Sequence, residues 1–199
     1  MRIAVITRHA IINYGSLLQA MATQQLLKSV GEDCEIIDYI REDESYRNQE
    51  KTLLKGKPSF SNNFFKRIAY LALRQPESII AGKRFAKMRK TYLNTTKLYS
   101  DIEQMQNDKP QADIYMTGSD QVWGPVMDGT YDSAYCLSFT ADCDRRIAFA
   151  ASFGRTKLTQ ETEAFYKKWL SRYAAIAVRE DSAVQLLNSW GLQAKQVID

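Results

Sequence analysis

"RIAVIT" (residues 2–7) and, a short loop later, "NYGSLLQA" (residues 13–20) decide the fold. Ile3 to Ile6 is an unbroken apolar run, the mark of a strand covered on both faces. Ser16-Leu17-Leu18-Gln19 matches a capping box, in which serine hydroxyl and glutamine amide satisfy the free backbone donors of a helix start. Leu18, Ala22, Leu26 and Val30 then recur every fourth residue and predict one buried stripe. Gly31 is placed to end the helix in a left-handed cap, and "CEIIDY" follows as a second strand. The opening unit is therefore βαβ. Its loop holds one glycine, Gly15, and lacks the Gly-x-Gly-x-x-Gly that cradles a dinucleotide pyrophosphate.

Further along, the same rhythm returns. "ADIYMTG" reads as a strand running into the turn "GSDQVWGP", and "RRIAFAASFG" as a strand ending at Ser152-Phe153-Gly154. Thr159 to Tyr173 is helical in pattern, with Phe165, Trp169 and Tyr173 on one face. "AAIAVRED" is a strand ending at Arg179-Glu180; Asp181 or Ser182 is placed to cap the next helix, Gly191 to close it, and "KQVID" to open another strand. Between the halves, residues 41–62 are charged and polar and read as a loop. Residues 63–93 read as helix, broken into two near Pro76. The expectation is one Rossmann-like domain over 1–199, α/β and doubly wound with a mostly parallel sheet. Residues 41–100 form a loop plus helical insertion on its side.

Composition narrows the function. A 199-residue chain with 45% apolar residues supports a core of ordinary size. Lys+Arg 27 against Asp+Glu 23 leaves +4, too little to mark a nucleic-acid protein. Cys34, Cys136 and Cys143 are scattered and odd in number, as in a reducing, cytoplasmic setting. His9 is the one histidine, and no spacing supports a zinc or iron site. No stretch has the length of a signal peptide or membrane span.

In a doubly wound sheet ligands bind at the carboxyl ends of the strands. Four loops belong there: Asn13-Tyr14-Gly15-Ser16, Gly118-Ser119-Asp120-Gln121-Val122-Trp123, Ser152-Phe153-Gly154, and Arg179-Glu180. Each has a bland reading. Gly15 and Ser16 suit a turn and a cap, Asp120 a self-bonded turn, and Arg179-Glu180 a surface pair. Each also has a functional one: a helix start offers free amides to an anion, a turn tryptophan lines a pocket, and an arginine forks a carboxylate or phosphate. Asp142-Cys143-Asp144 spells Asp-x-Asp but precedes a strand, which puts it at the opposite edge as a solvated loop. His9, with no carboxylate in view, reads as structural. The basic run from Lys66 to Lys90 fits a solvated helix face, with weak contact to a membrane surface or anionic lipid carrier as the alternative.

"NYGSLLQAMATQQLL", "TGSDQVWGP", "AFAASFG" and "AVREDSAVQLLNSWG", in this order, resemble the polysaccharide pyruvyl transferase family, "GSDQVW" most specifically. The resemblance implies transfer of the enolpyruvyl unit of phosphoenolpyruvate to sugar hydroxyls of a cell-surface polysaccharide. Phosphoenolpyruvate would be the co-substrate, no further cofactor would be needed, and the acceptor would be a sugar or lipid-linked saccharide. It implies the N-terminal half of a GT-B-like two-domain fold, with the donor-binding cations and a catalytic histidine on a second domain. The chain is then expected to be inactive alone and, with an apolar face left open, to self-associate. On this side of the cleft the resemblance leaves Asp120 and Glu180 for proton handling. Asn13, Tyr14, Gly15, Ser16, Gln19, Gly118, Ser119, Asp120, Gln121, Trp123, Ser152 and Arg179 remain for substrate contact. A glycosyltransferase half-domain using a nucleotide sugar, or a non-catalytic carbohydrate-binding domain, remain as alternatives.

Overall fold

A computed structural model describes residues 1–198; the end of the predicted "KQVID" strand, Asp199, lies outside the described residues. Seven parallel strands form one sheet in the order β3-β2-β1-β4-β5-β6-β7. They are β1 (Arg2–Ile6), β2 (Asp33–Tyr39), β3 (Thr95–Tyr99), β4 (Ile114–Asp120), β5 (Arg145–Ala151), β6 (Ala175–Val178) and β7 (Lys195–Gln196). The chain builds outward from β1 to β3, then returns to place β4 on the other side of β1. That reversal defines a Rossmann-like topology and puts its switch point between β1 and β4.

Alternation along the strands divides the core between two faces. Ile3 and Val5 pack on one side with Leu17 and Ala20 of α1 (Tyr14–Ser29) and Phe85 of α4 (Phe64–Tyr92). Ala4 and Ile6 point to the other, toward Met105 of α5 (Ile102–Asn107), Tyr166 and Leu170 of α6 (Gln160–Leu170), and Leu187 of α7 (Asp181–Ser189). Alpha-helical cover on the first face stops at α1, so Ile147 and Phe149 of β5 are only partly buried there.

The structure corrects several expectations. Residues 41–62 are not a plain loop: they hold a 3₁₀ turn (Glu42–Glu44), α2 (Gln49–Lys55) and α3 (Pro58–Ser61). Residues 64–92 are one helix that runs through Pro76. Pro76 is exposed, so water can satisfy the carbonyl it leaves unpaired. The helical segment is the crossover from β2 to β3, an edge strand that "TTKLY" does not announce because only Tyr99 of it is buried.

The stripe of α1 is also different. Leu18, Leu26 and Val30 are 61, 47 and 64% exposed, whereas Leu17, Ala20, Thr23 and Gln24 are buried. Gln24 goes inside because its amide nitrogen donates to the Tyr92 carbonyl (3.3 Å) and its oxygen accepts from the Asn94 amide (2.7 Å). Those partners lie about seventy residues away and leave no local periodicity. Gly31 does end α1 at φ +83°, with Glu32 and Gly31 amides donating to the Leu27 and Lys28 carbonyls in a Schellman turn.

Candidate functional site

Because every strand is parallel, the carboxyl ends of β1, β4, β5 and β6 share one edge. Helix α1 starts there. Its N-cap is Asn13, whose Oδ1 accepts from the Gly15 amide at 2.8 Å, so the expected Ser16 capping box is not formed. Relieved of that role, Ser16 donates its hydroxyl to Asp120 Oδ2 at 2.6 Å across the switch point. Asp120 Oδ1 accepts from the Gln121 amide at 2.7 Å. Asp120 closes β4 at φ +88°, a region L-residues avoid at a cost of about 1–3 kcal/mol, and such strain collects at functional sites.

A second hydroxyl–carboxylate pair stands two strands over. Ala150 has φ +52°, and the β5–β6 register shifts between Ala148 and Ala151, a bulge that re-aims the strand end. Ser152, fully buried, donates to Glu180 Oε1 and accepts from the Gly154 amide at 2.9 Å. Arg179 Nη2 lies 3.3 Å from the Ser152 hydroxyl and 3.5 Å from Glu180 Oε1. Glu180 occupies the N-cap position of α7 but makes no cap bond, which corrects the Asp181 or Ser182 cap. Its Oε2 is buried and has no hydrogen-bond partner among the described residues. Asp120 and Val178 both register on Ala151, so the pairs form a row across β4, β5 and β6 roughly 10 Å long at the usual strand spacing.

The other expected residues fall into different places. Gln121 is exposed, with its amide against Gly154: a Cβ on Gly154 would come 2.8 Å from Gln121 Cδ. Gln19, one turn beyond Ser16, lines a groove with Ser119 and Phe149. Tyr14 is 64% exposed, edge-on to Phe85. Gly118 and Ser119 are buried strand residues, and Gly118 makes room for Val5 and Thr23. Trp123 is not a pocket wall. It is 1% exposed, its indole N–H donates to the Tyr135 carbonyl at 3.3 Å, and its ring lies 5.0 Å from Phe153. The turn after β4 folds inward because that indole finds a buried acceptor.

Sequence reasoning missed a buried polar cluster beside this edge. His9 has a carboxylate partner after all: Nε2 lies 3.0 Å from Asp38 Oδ1, and Nδ1 lies 3.1 Å from the Thr7 carbonyl. Arg89 of α4 reaches the same Asp38 oxygen at 2.5 Å. Burial pushes the Asp38 carboxyl up, but His9 and Arg89 outweigh it and leave it below the usual range. Arg8 donates to Glu44 Oε1 and to the Pro125 carbonyl, both at 3.0 Å, and so pins the β4–β5 connection. The available signal was three polar residues, Thr7-Arg8-His9, directly after a buried strand. Asp142 and Asp144 pair with Arg172 and Lys109 before β5, at the opposite end of that strand from Ser152. Among the described residues no group of His, Cys, Asp and Glu could hold a metal ion, and no helix is long and apolar enough to cross a membrane.

The geometry offers two carboxylates, each oriented by a buried serine hydroxyl, with an amide and a guanidinium beside them along one sheet edge. Such a set hydrogen-bonds a polyhydroxylated ligand and can take a proton from it. A family model described as polysaccharide pyruvyl transferase matches residues 13–199. No curated protein and no solved structure matches the chain.

Proposed function

Since the chain belongs to the polysaccharide pyruvyl transferase family, we propose that the row from Ser16–Asp120 to Ser152–Glu180 is the cleft wall that receives the sugar acceptor. The observation that carries this reading is the pairing itself: each carboxylate stands at or just past a strand end and is held by a serine, Asp120 on a left-handed backbone. Asp120 and Glu180 accept the proton of an attacking sugar hydroxyl. Gln121 and Arg179 bind neighbouring hydroxyls and fix which one is presented.

The donor in this reading is phosphoenolpyruvate. One sugar oxygen bonds to its C2 as the methylene carbon takes up a proton. A second sugar oxygen then bonds to C2 as the C2–O bond to phosphate breaks, which closes a ketal; of the two hydroxyl protons released, one ends on the methylene carbon and the other leaves on the phosphate. The cations for the donor's carboxylate and phosphate face this wall from a second α/β domain, as in a GT-B-like cleft. The acceptor is a sugar or lipid-linked saccharide destined for a cell-surface polysaccharide, and the reaction belongs in the cytoplasm. Free thiols at the buried Cys34 and Cys136 support a reducing compartment.

The test is turnover of phosphoenolpyruvate by the full-length protein carrying Asp120→Asn or Glu180→Gln. A lost general base lowers kcat by about 100-fold or more with little change in KM. Unchanged kcat in both variants would remove proton handling from this wall.

A further inference from the structure

We infer that the outer face of α4 is a docking surface for an anionic lipid bilayer. Helix α4 has 29 residues and is about 43 Å long at 1.5 Å per residue. Its buried residues, Ser78, Gly82, Phe85 and Arg89, all lie in the second half, on one stripe against the sheet. The first half packs on α2 and α3, where the Phe60 and Tyr70 rings lie 5.8 Å apart and Tyr70 donates to Glu50 at 2.9 Å, and Gln75 ties it to the Arg47 carbonyl at 2.6 Å.

Opposite the buried stripe, at helical steps of four, three, four and four, stand Phe65, Ala69, Ala72, Pro76 and Ile80, all exposed. Leu73 lies on the flank of this line. Phe65 is 80% and Leu73 78% exposed, so the apolar line faces water along four turns. The same face continues as Lys83, Lys87 and Lys90, also exposed. A plain solvated helix would carry charge on that face throughout. Exposed apolar side chains and lysines on one helix face supply the two contributions to interfacial binding, buried apolar area and attraction to anionic lipid.

Charge selects the occupant. Residues 49–92 hold eleven lysines and arginines against two acids, a net +9, while the whole chain carries +4. One of the acids, Glu50, is buried under Tyr70. A second copy docking here would bring +9 against +9. Phospholipid headgroups of negative charge neutralise the lysines and accept the apolar side chains beneath them. The inference does not depend on the cleft chemistry above.

The experiment is co-sedimentation of the protein with vesicles of phosphatidylcholine, with and without phosphatidylglycerol. The expected result is binding at least about tenfold stronger to the anionic vesicles, and a loss of about tenfold in the Phe65→Ser/Leu73→Ser double variant. Both side chains are exposed, so the variant's thermal melt stays that of the wild type. All three native tryptophans lie outside α4. Phe65→Trp therefore adds emission from the first half, which on binding shifts to the blue and is quenched by brominated lipid. Three results overturn the inference: no vesicle binding, binding unaffected by the double variant, or lipid-free dimerisation that the double variant abolishes.

Discussion

Asp38 shows how much rests on single polar side chains in this fold. Its carboxylate is shared by His9 and Arg89, both buried. Asp38→Ala leaves a buried guanidinium unpaired, and the expected cost is about 3–5 kcal/mol in urea melts. The pH dependence follows from the lowered carboxyl value. A depressed carboxylate contributes stability that is complete above its unfolded value of about 3.9 and lost as pH falls through the folded one. Wild-type stability should therefore drop on acidification from about pH 4 downward, and the Asp38→Ala profile should lack that component. At the carboxyl edge of the sheet, Ser16→Ala removes the hydroxyl that holds Asp120. The expected loss is about 1 kcal/mol of stability, together with slower turnover as the carboxylate loses its fixed direction.

At the scale of elements, two close approaches set how helices and turns meet. Gly82 lets α4 settle onto the segment after β2: a Cβ there would lie 2.2 Å from Tyr46 Cβ. Gly82→Ala should cost about 1–3 kcal/mol by overpacking, read from thermal or chemical melts. Gly154 combines φ +62° with the Gln121 amide at its back, so Gly154→Ala is strained and also displaces Gln121. Elements with their own signals were legible. Gly31 and Gly191 stop α1 and α7 at positive φ, as their positions after apolar runs imply. The Ser16 capping box was not, because Asn13 takes the N-cap and Asp120, 104 residues on, takes the serine. A local motif cannot compete with a charged acceptor that only the sheet brings near.

The whole molecule leaves part of its sheet open. Between α1 and β5–β7 runs a channel bordered by Leu26, Leu27, Met116, Ile147, Phe149 and Ala177. Its α1 wall includes Leu26 and Val30, both exposed. An open apolar channel of this kind predicts association. Sedimentation velocity of the 199-residue chain should show concentration-dependent self-association, and Leu26→Glu should shift it toward monomer. A monomeric wild type at every concentration would mean that the face is tolerated in water. This channel lies along the sheet face, apart from the first half of α4, so the two surfaces are tested by separate variants.

The amino-acid sequence alone determined the α/β rhythm, six of the seven strands described and the sheet edge that gathers the polar loops. Short apolar runs, turn glycines and the β-strand/helix alternation are local, and each predicts its element without its neighbours. It also placed Ser16, Asp120, Ser152, Arg179 and Glu180 at that edge, since residues after parallel strands must share it. Only the tertiary structure decided which of them pair, that Trp123 turns into the core, and that His9 and Arg89 meet on Asp38. It also decided which side of α1 is buried and which side of α4 faces water. Those outcomes depend on hydrogen bonds and contacts between residues far apart in the chain, where the energy of a buried donor finding its acceptor outweighs the pattern of apolar spacing.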